Sequence, residues 1–277
     1  MSLASFNVHS GVDTRGHGYD VVTACASLDA DVLVIQESWH ADADAESTAA
    51  RVADRLGYRL TEQPMARTKL HAPIDELAPR VGSKLGRVYG PLLFDGEDTR
   101  GARRAHKDRP FRSGQWGVAV LSRVPVVDTI ILSLGKLPGD YAQRVAIRCD
   151  LELGGGRIAV VGTHMSHITQ GSPLQYLRLR RLLPPASQPA VLAGDMNLWG
   201  PPVSAAFPGW RRAVRGRTWP AEHPHSQLDH VLVTPSVTPI EGVVAPYLGS
   251  DHRAVRAVLS FPAVPERTRP ARSTQLP

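Results

Sequence analysis

The residues of this chain best suited to chemistry stand at the ends of apolar runs. Val191, Leu192 and Ala193 lead through Gly194 to Asp195 and, two positions on, Asn197, a spacing that puts both polar side chains on one side of an extended chain. Gly, Asp and Asn are also common turn residues, so this stretch alone suits a turn as well as a site. The same event recurs at Phe6-Asn7, Gln36-Glu37, Gly162-Thr163-His164, Leu228-Asp229 and Ser250-Asp251-His252, each beside an apolar run. Turn chemistry would favour Gly, Pro and Ser equally and would not select this set of oxygen donors and imidazoles.

That set suits the hydrolysis of phosphate esters. Carboxylate and carboxamide oxygens suit a hard cation such as Mg²⁺ or Mn²⁺, which also binds phosphate oxygens. A histidine titrating near neutrality can take a proton from an attacking water, and a second carboxylate can hold its tautomer. Cationic or hydrogen-bonding groups stabilise the charge of the transition state. A histidine-rich zinc hydrolase built on His9, His164, His167, His223 and His225 is the weaker metal reading, because most of the strand ends offer oxygen.

The elements that must position these groups are mostly short strands. Residues 3–8, 31–36, 58–61, 117–121, 126–134, 144–153, 157–162, 210–214, 229–234, 243–245 and 254–261 read as strands, with helices at 19–28, 42–56 and 173–183. Strand 31–36 is apolar on both faces and ends in Glu37. From 65 to 112 the pattern dissolves into Pro, Gly and charge, with a basic run over 103–109 and Phe111 and Trp116 near enough for base stacking. Many short strands with few helices predict a layered α/β sandwich in one domain, residues 1–262, followed by a disordered tail over 263–277.

With 277 residues, 42% of them hydrophobic, the chain can bury a sizeable core. No segment is apolar for long enough to cross a bilayer, and the N-terminus lacks the basic and apolar regions of an export signal, which predicts a cytoplasmic protein. Cys25 and Cys149 lie inside apolar runs and read as reduced core thiols. A net charge of +6 and a pI near 9.7 favour an anionic partner: nucleic acid, a phosphorylated small molecule or an acidic membrane surface.

The ordered motifs Ser5-Phe6-Asn7, Ile35-Gln36-Glu37-Ser38, the segment 117–125, Gly162-Thr163-His164, Gly194-Asp195-Met196-Asn197, Leu228-Asp229-His230-Val231 and Ser250-Asp251-His252-Arg253 resemble those of the endonuclease/exonuclease/phosphatase superfamily. The resemblance implies a four-layered sandwich, two packed mixed β-sheets flanked by helices, with the site at one edge. It implies Glu37 as principal metal ligand with Asn7 beside it, and Asp195 as metal ligand or water-activating base. Asn197 would orient the phosphate, and Asp229 would orient His252 as the base. Asp251 would serve a second metal or phosphate position, His164 would contact phosphate or leaving group, and Arg144 would clamp phosphate. The implied cofactor is Mg²⁺ or Mn²⁺.

His9 and His164 stand where the abasic-site endonuclease branch carries aspartate and tyrosine, which leans toward the branch of deoxyribonucleases, sphingomyelinases and phosphoinositide phosphatases. The glutamate that partners the histidine in deoxyribonucleases has no obvious counterpart here, Asp75 and Glu76 being the residues that could serve. A nuclease acting on DNA or RNA is the leading expectation. The alternatives are a phosphatase or phosphodiesterase for a small phosphorylated molecule or lipid headgroup, and a silent binding module on the same fold.

Overall fold

The computed structural model describes residues 1–76, 110–154, 156–167 and 172–261. The basic run 103–109 and the tail 263–277 lie outside these residues.

Twelve strands form two mixed six-stranded sheets. They are β1 (Ser2–Asn7), β2 (Val32–Ala41), β3 (Arg59–His71), β4 (Phe111–Ser122), β5 (Val126–Gly135), β6 (Arg144–Leu153), β7 (Gly156–His164), β8 (Ala190–Asp195), β9 (Arg211–Arg212), β10 (Asp229–Val233), β11 (Thr238–Val244) and β12 (Val255–Ser260). The first sheet runs β11-β12-β1-β2-β4-β3 and the second β5-β6-β7-β8-β10-β9. In each, one central pair is parallel, β1 with β2 and β7 with β8, and every other pair is antiparallel. Helices α1 (Val21–Ala26) and α2 (Thr48–Leu56) accompany the first sheet, and α3 (Ser172–Leu182) and α4 (Gly200–Ala206) the second. This is the four-layered sandwich that the motifs implied.

Strand periodicity explains the layering. Along β2, Val32 and Val34 point into the core between the sheets, where they meet Val120, Ile147, Val160 and Val191. Leu33 and Ile35 point the other way, into a layer shared with Cys25 of α1 and Val52 of α2. On the far side, Val161 and Leu192 pack with Leu179 of α3 and Val203 of α4. Cys25 and Cys149 are free and buried, and burial pushes the Cys25 thiol up to about 12. None of the described helices is long and apolar enough to cross a membrane.

The helix expected over 42–56 begins only at Thr48 and the strand expected over 210–214 shrinks to Arg211–Arg212, and two further expectations that bear on the site change. β2 does not stop at Glu37 but continues to Ala41, with a register shift against β4 between Gln36 and Ser38. Glu37 is the extra residue of that bulge, at φ 56°. The irregular stretch 65–112 also begins and ends as strand, since β3 runs to His71 and β4 starts at Phe111. β3 lies at a sheet edge, tolerates Pro64, and carries charge on its open face, so it lacks the apolar signal of a buried strand.

The sheets approach closely at Gly162, where a Cβ would lie 2.7 Å from Val120 and 2.8 Å from Val34 across the core. We expect Gly162→Ala to lower stability by about 1–3 kcal/mol through overpacking, read as a reduced urea midpoint with an unchanged m-value.

Candidate active site

Strand ends from both sheets meet at one edge of the sandwich. In the second sheet, His164 of β7 and Asp229 of β10 each stand opposite Asp195 of β8 in register, so three chemically active side chains form a row across adjacent strands. Asn7 of β1 and Glu37 of β2 come from the first sheet, and Asp251 and His252 from the turn before β12.

Asn7 joins the sheets. Its Nδ2 donates to Glu37 Oε1 and to Asp195 Oδ2, each at 3.1 Å, while its Oδ1 accepts from the His9 amide at 3.0 Å. Asp195 is almost fully buried, and its other oxygen accepts from the Asn197 amide at 2.8 Å. Close backbone approach seats Asp195, because a Cβ on Gly194 would collide with the carbonyl oxygen of Thr163.

Asp229 and His252 form a buried pair, with the Asp229 carboxylate on His252 Nδ1 at 2.8 Å and the opposite ring nitrogen 3.7 Å from Asp195. Burial alone would push His252 down, but the charges of Asp229 and Asp195 outweigh it and hold the imidazole well above its ordinary value. Burial, reinforced by the Asp229 charge, pushes the Asp195 carboxyl up to about 7 against the attraction of His252. His164 lies 3.5 Å from Asp195, yet that contact is not an ion pair. Burial, with Arg144 and His252 nearby, keeps its ring neutral.

Arg144 does not stand ready as a phosphate clamp. Its guanidinium is buried, with Nε 2.7 Å from Asp140 and another nitrogen donating to the His164 carbonyl at 3.3 Å. The same group lies 5.1 Å over the Trp116 ring, which packs 5.5 Å from the His164 ring. Trp116 is therefore a buried support and not a stacking platform, whereas Phe111 is exposed. Asp75 pairs with His17 at 2.8 Å and leaves His164 Nδ1 without a partner among the described residues, while the Glu76 side chain lies outside them. Asp251 sits 3.6 Å from His9 Nδ1.

Several further contacts support the site, and of these Tyr176 and Ser166 carried no signal in the sequence. Ser250 donates to the Asn7 carbonyl at 2.7 Å and accepts from the His252 amide. The Tyr176 hydroxyl donates to the Met196 carbonyl, and Ser166 donates to Asp140. Asn197, at φ 51°, donates from Nδ2 to the Met165 carbonyl at 2.9 Å with His164 Nε2 3.4 Å away. Serines and tyrosines of this kind are common everywhere, and only the fold shows which ones reach the site.

The donor set fits a divalent cation. Asp195, Asp229 and Asp251 surround one imidazole, Glu37 joins Asp195 through the Asn7 amide, and Asp229 Oδ1 is buried with no hydrogen-bond partner among the described residues. Asp195, Asp229 and His252 also lie within ligand reach of one another, with ligand atoms within 4.8 Å. The histidine-rich zinc set does not come together among the described residues.

Two measurements test this geometry. Gly194→Ala should displace Asp195 and lower kcat by at least about tenfold, with the fold retained by circular dichroism. In the metal-free protein, Asp229→Asn should lower the His252 pKa followed by NMR. Because the folded His252 value is raised, the stability that Asp229 lends is complete below the ordinary value of 6.5 and is lost as pH rises through the folded value.

Comparison with known proteins follows the same lines. No curated protein matches the sequence. Among solved structures, an endonuclease/exonuclease/phosphatase from Beutenbergia cavernae is 19% identical, with a TM-score of 0.63 over 94% of this chain and 71% of that one. A mannosyl-6-phosphatase from Bacteroides thetaiotaomicron is 15% identical, with a TM-score of 0.60 over 94% of this chain and 100% of that one. TDP2 from D. rerio, complexed with a single strand DNA product, is 16% identical, with a TM-score of 0.58 over 94% and 99%. These likenesses show the fold. The profile of the Endonuclease/Exonuclease/phosphatase family matches residues 4–252, which takes in every strand end described above, and the chain belongs to that family of phosphoester hydrolases.

Proposed function

We propose that this chain is a Mg²⁺- or Mn²⁺-dependent hydrolase whose main substrate is a nucleic-acid phosphodiester. One observation carries the hydrolytic reading: a single amide, Asn7 Nδ2, touches carboxylates from both sheets, and the Asp229–His252 pair faces the same Asp195 oxygen. The net charge of +6 and the likeness to TDP2 holding a DNA product support nucleic acid as substrate.

In this reading Glu37 and Asn7 hold the cation, with Asp251 and Asp195 beside them. Bound there, it would polarise a phosphoryl oxygen and neutralise developing charge. Asp195, whose carboxylate faces the Asn7 amide and His252 at the meeting of the two sheets, takes the proton of the attacking water. His252, oriented by Asp229 through Nδ1, stabilises charge on the phosphate. Asn197 donates to a phosphate oxygen, and neutral His164 lies against the leaving group. Arg144 acts at one remove, by fixing the His164 backbone.

A phosphatase for a small phosphorylated molecule is the second reading. It is favoured by a compact cleft beside Glu37, of about 280 Å³, and by the likeness to a mannosyl-6-phosphatase.

Purified protein should cleave plasmid DNA and single-stranded oligonucleotides with Mg²⁺ or Mn²⁺ and lose this with chelator. Asp195→Asn should lower kcat by about 10²–10³-fold or more. Intact nucleic acid beside rapid release of phosphate from sugar phosphates would select the second reading. Mg²⁺ at a hundred times Kd should stabilise the wild type by about 2.7 kcal/mol, read as a higher melting midpoint, and Glu37→Gln should abolish most of that rise.

A further inference from the structure

The cleft beside Glu37 has walls that the hydrolytic step does not use. It measures about 280 Å³ and is lined by Ser10, Asp13, Thr14, Trp39 and His71 among others, with Glu37 contributing to the same wall. Five non-glycine residues among those described have a left-handed φ, and three of them, His9, Ser10 and Glu37, line this cleft. A fourth is Asn197. Such conformations persist only where the surroundings over-determine them, and they gather at ligand sites.

The cleft is held open by its own hydrogen bonds. The Val12 amide donates to the His9 carbonyl at 3.1 Å, and Asp13 Oδ1 accepts from the amides of Arg15 and His17, each at 2.8 Å. The Ile74 amide then ties the loop to the end of β3 by donating to the Gly16 carbonyl at 2.9 Å. His71 is stacked on Phe111 at 4.2 Å between ring centroids, which orients its ring.

The chemistry of the walls selects the occupant. Arg112 also lines the cleft, but it is 2.8 Å from Asp44, so its charge is matched and the cleft does not read as a second phosphate site. The hydroxyls of Ser10 and of Thr14, which donates to Glu222 at 3.0 Å, and the Asp13 carboxylate suit hydroxyl groups, while the His71 ring, backed by the buried Trp39, suits the apolar face of a ring. The volume is at the low end of the ~300–1,000 Å³ usual for ligand pockets, enough for one substituted ring and too small for a lipid chain. We propose that this cleft is a sugar-ring subsite, which seats the pentose or hexose whose phosphate reaches Glu37 and Asp195. The proposal rests on the phosphoesterase reading, and a nucleotide and a free sugar phosphate share the chemistry.

Thr14→Trp would fill the cleft from an exposed position outside the catalytic set. The test compares a thymidine dinucleotide and glucose 6-phosphate with two sugarless esters, bis(4-nitrophenyl) phosphate and 4-nitrophenyl phosphate. We expect KM to rise roughly tenfold or more for the sugar-bearing substrate that the wild type turns over, with kcat and the sugarless esters unchanged. The substrate that responds, dinucleotide or hexose, identifies the source of the ring. An equal loss on sugarless esters, or no change on any substrate, overturns the subsite. His71→Ala guards against a folding artefact, since it removes a wall without adding bulk and should raise the same KM.

Should the wild type hydrolyse no ester at all, the hydrolytic reading falls and the cleft is judged by binding. Saturation-transfer NMR with ribose 5-phosphate and glucose 6-phosphate should then show ring-proton signals with the wild type that vanish in Thr14→Trp. Absent signals, or equal signals in both proteins, overturn the subsite.

Discussion

A carboxylate buried where two sheets meet is the constraint on which the rest of this structure depends. Asp195 is almost fully buried, and an anion there is costly unless hydrogen bonds and opposite charge surround it. The Asn197 amide, Asn7 Nδ2 and His252 supply those partners, and they come from β8 and its exit, from the other sheet and from the turn before β12. The compensation is incomplete, because burial and the Asp229 charge still push the Asp195 carboxyl up. A fully neutralised carboxylate would be a better structural element and a poorer proton acceptor.

Each partner of Asp195 is itself held by a further residue. Asp229 fixes the His252 ring, Ser250 bridges the Asn7 carbonyl and the His252 amide, and Tyr176 secures the carbonyl of Met196. Arg144, paired with Asp140, donates to the His164 carbonyl, and Ser166 binds the same Asp140. These bonds fix rotamers in a dry environment, which is how a site keeps its geometry before substrate arrives. Arg144 thus serves the site through an ion pair of its own.

Four of the five left-handed non-glycine residues among those described, His9, Ser10, Glu37 and Asn197, gather in the same region. Glu37 leaves β2 as the extra residue of a bulge at left-handed φ, and Asn197 adopts a similar conformation just past β8. A regular strand would keep Glu37 in the strict alternation of core and outer faces, and the bulge breaks that alternation where a carboxylate is needed. Asparagine tolerates the left-handed region readily, but glutamate does not, so the Glu37 conformation depends on the strands on either side of it.

The amino-acid sequence by itself determined the strand ends and their cargo. Apolar runs such as 32–35 and 191–193 announce buried strands on any reading, and the polar residues that follow, Asn7, Glu37, His164, Asp195, Asp229 and His252, stand in a fixed order. Periodicity is a local property, so it survives in a linear text. What only the tertiary structure decided depends on contacts between residues far apart in the chain. The pairing of Arg144 with Asp140, the burial of Trp116 against His164 and the continuation of β2 past Glu37 each follow from neighbours that no local pattern names. The length of β3 past Thr61 stayed hidden because an edge strand needs only one apolar face, and the shifts of Asp195 and His252 arise only because both are buried within reach of each other. Burial and mutual distance set a pKa, and neither exists until the two sheets close.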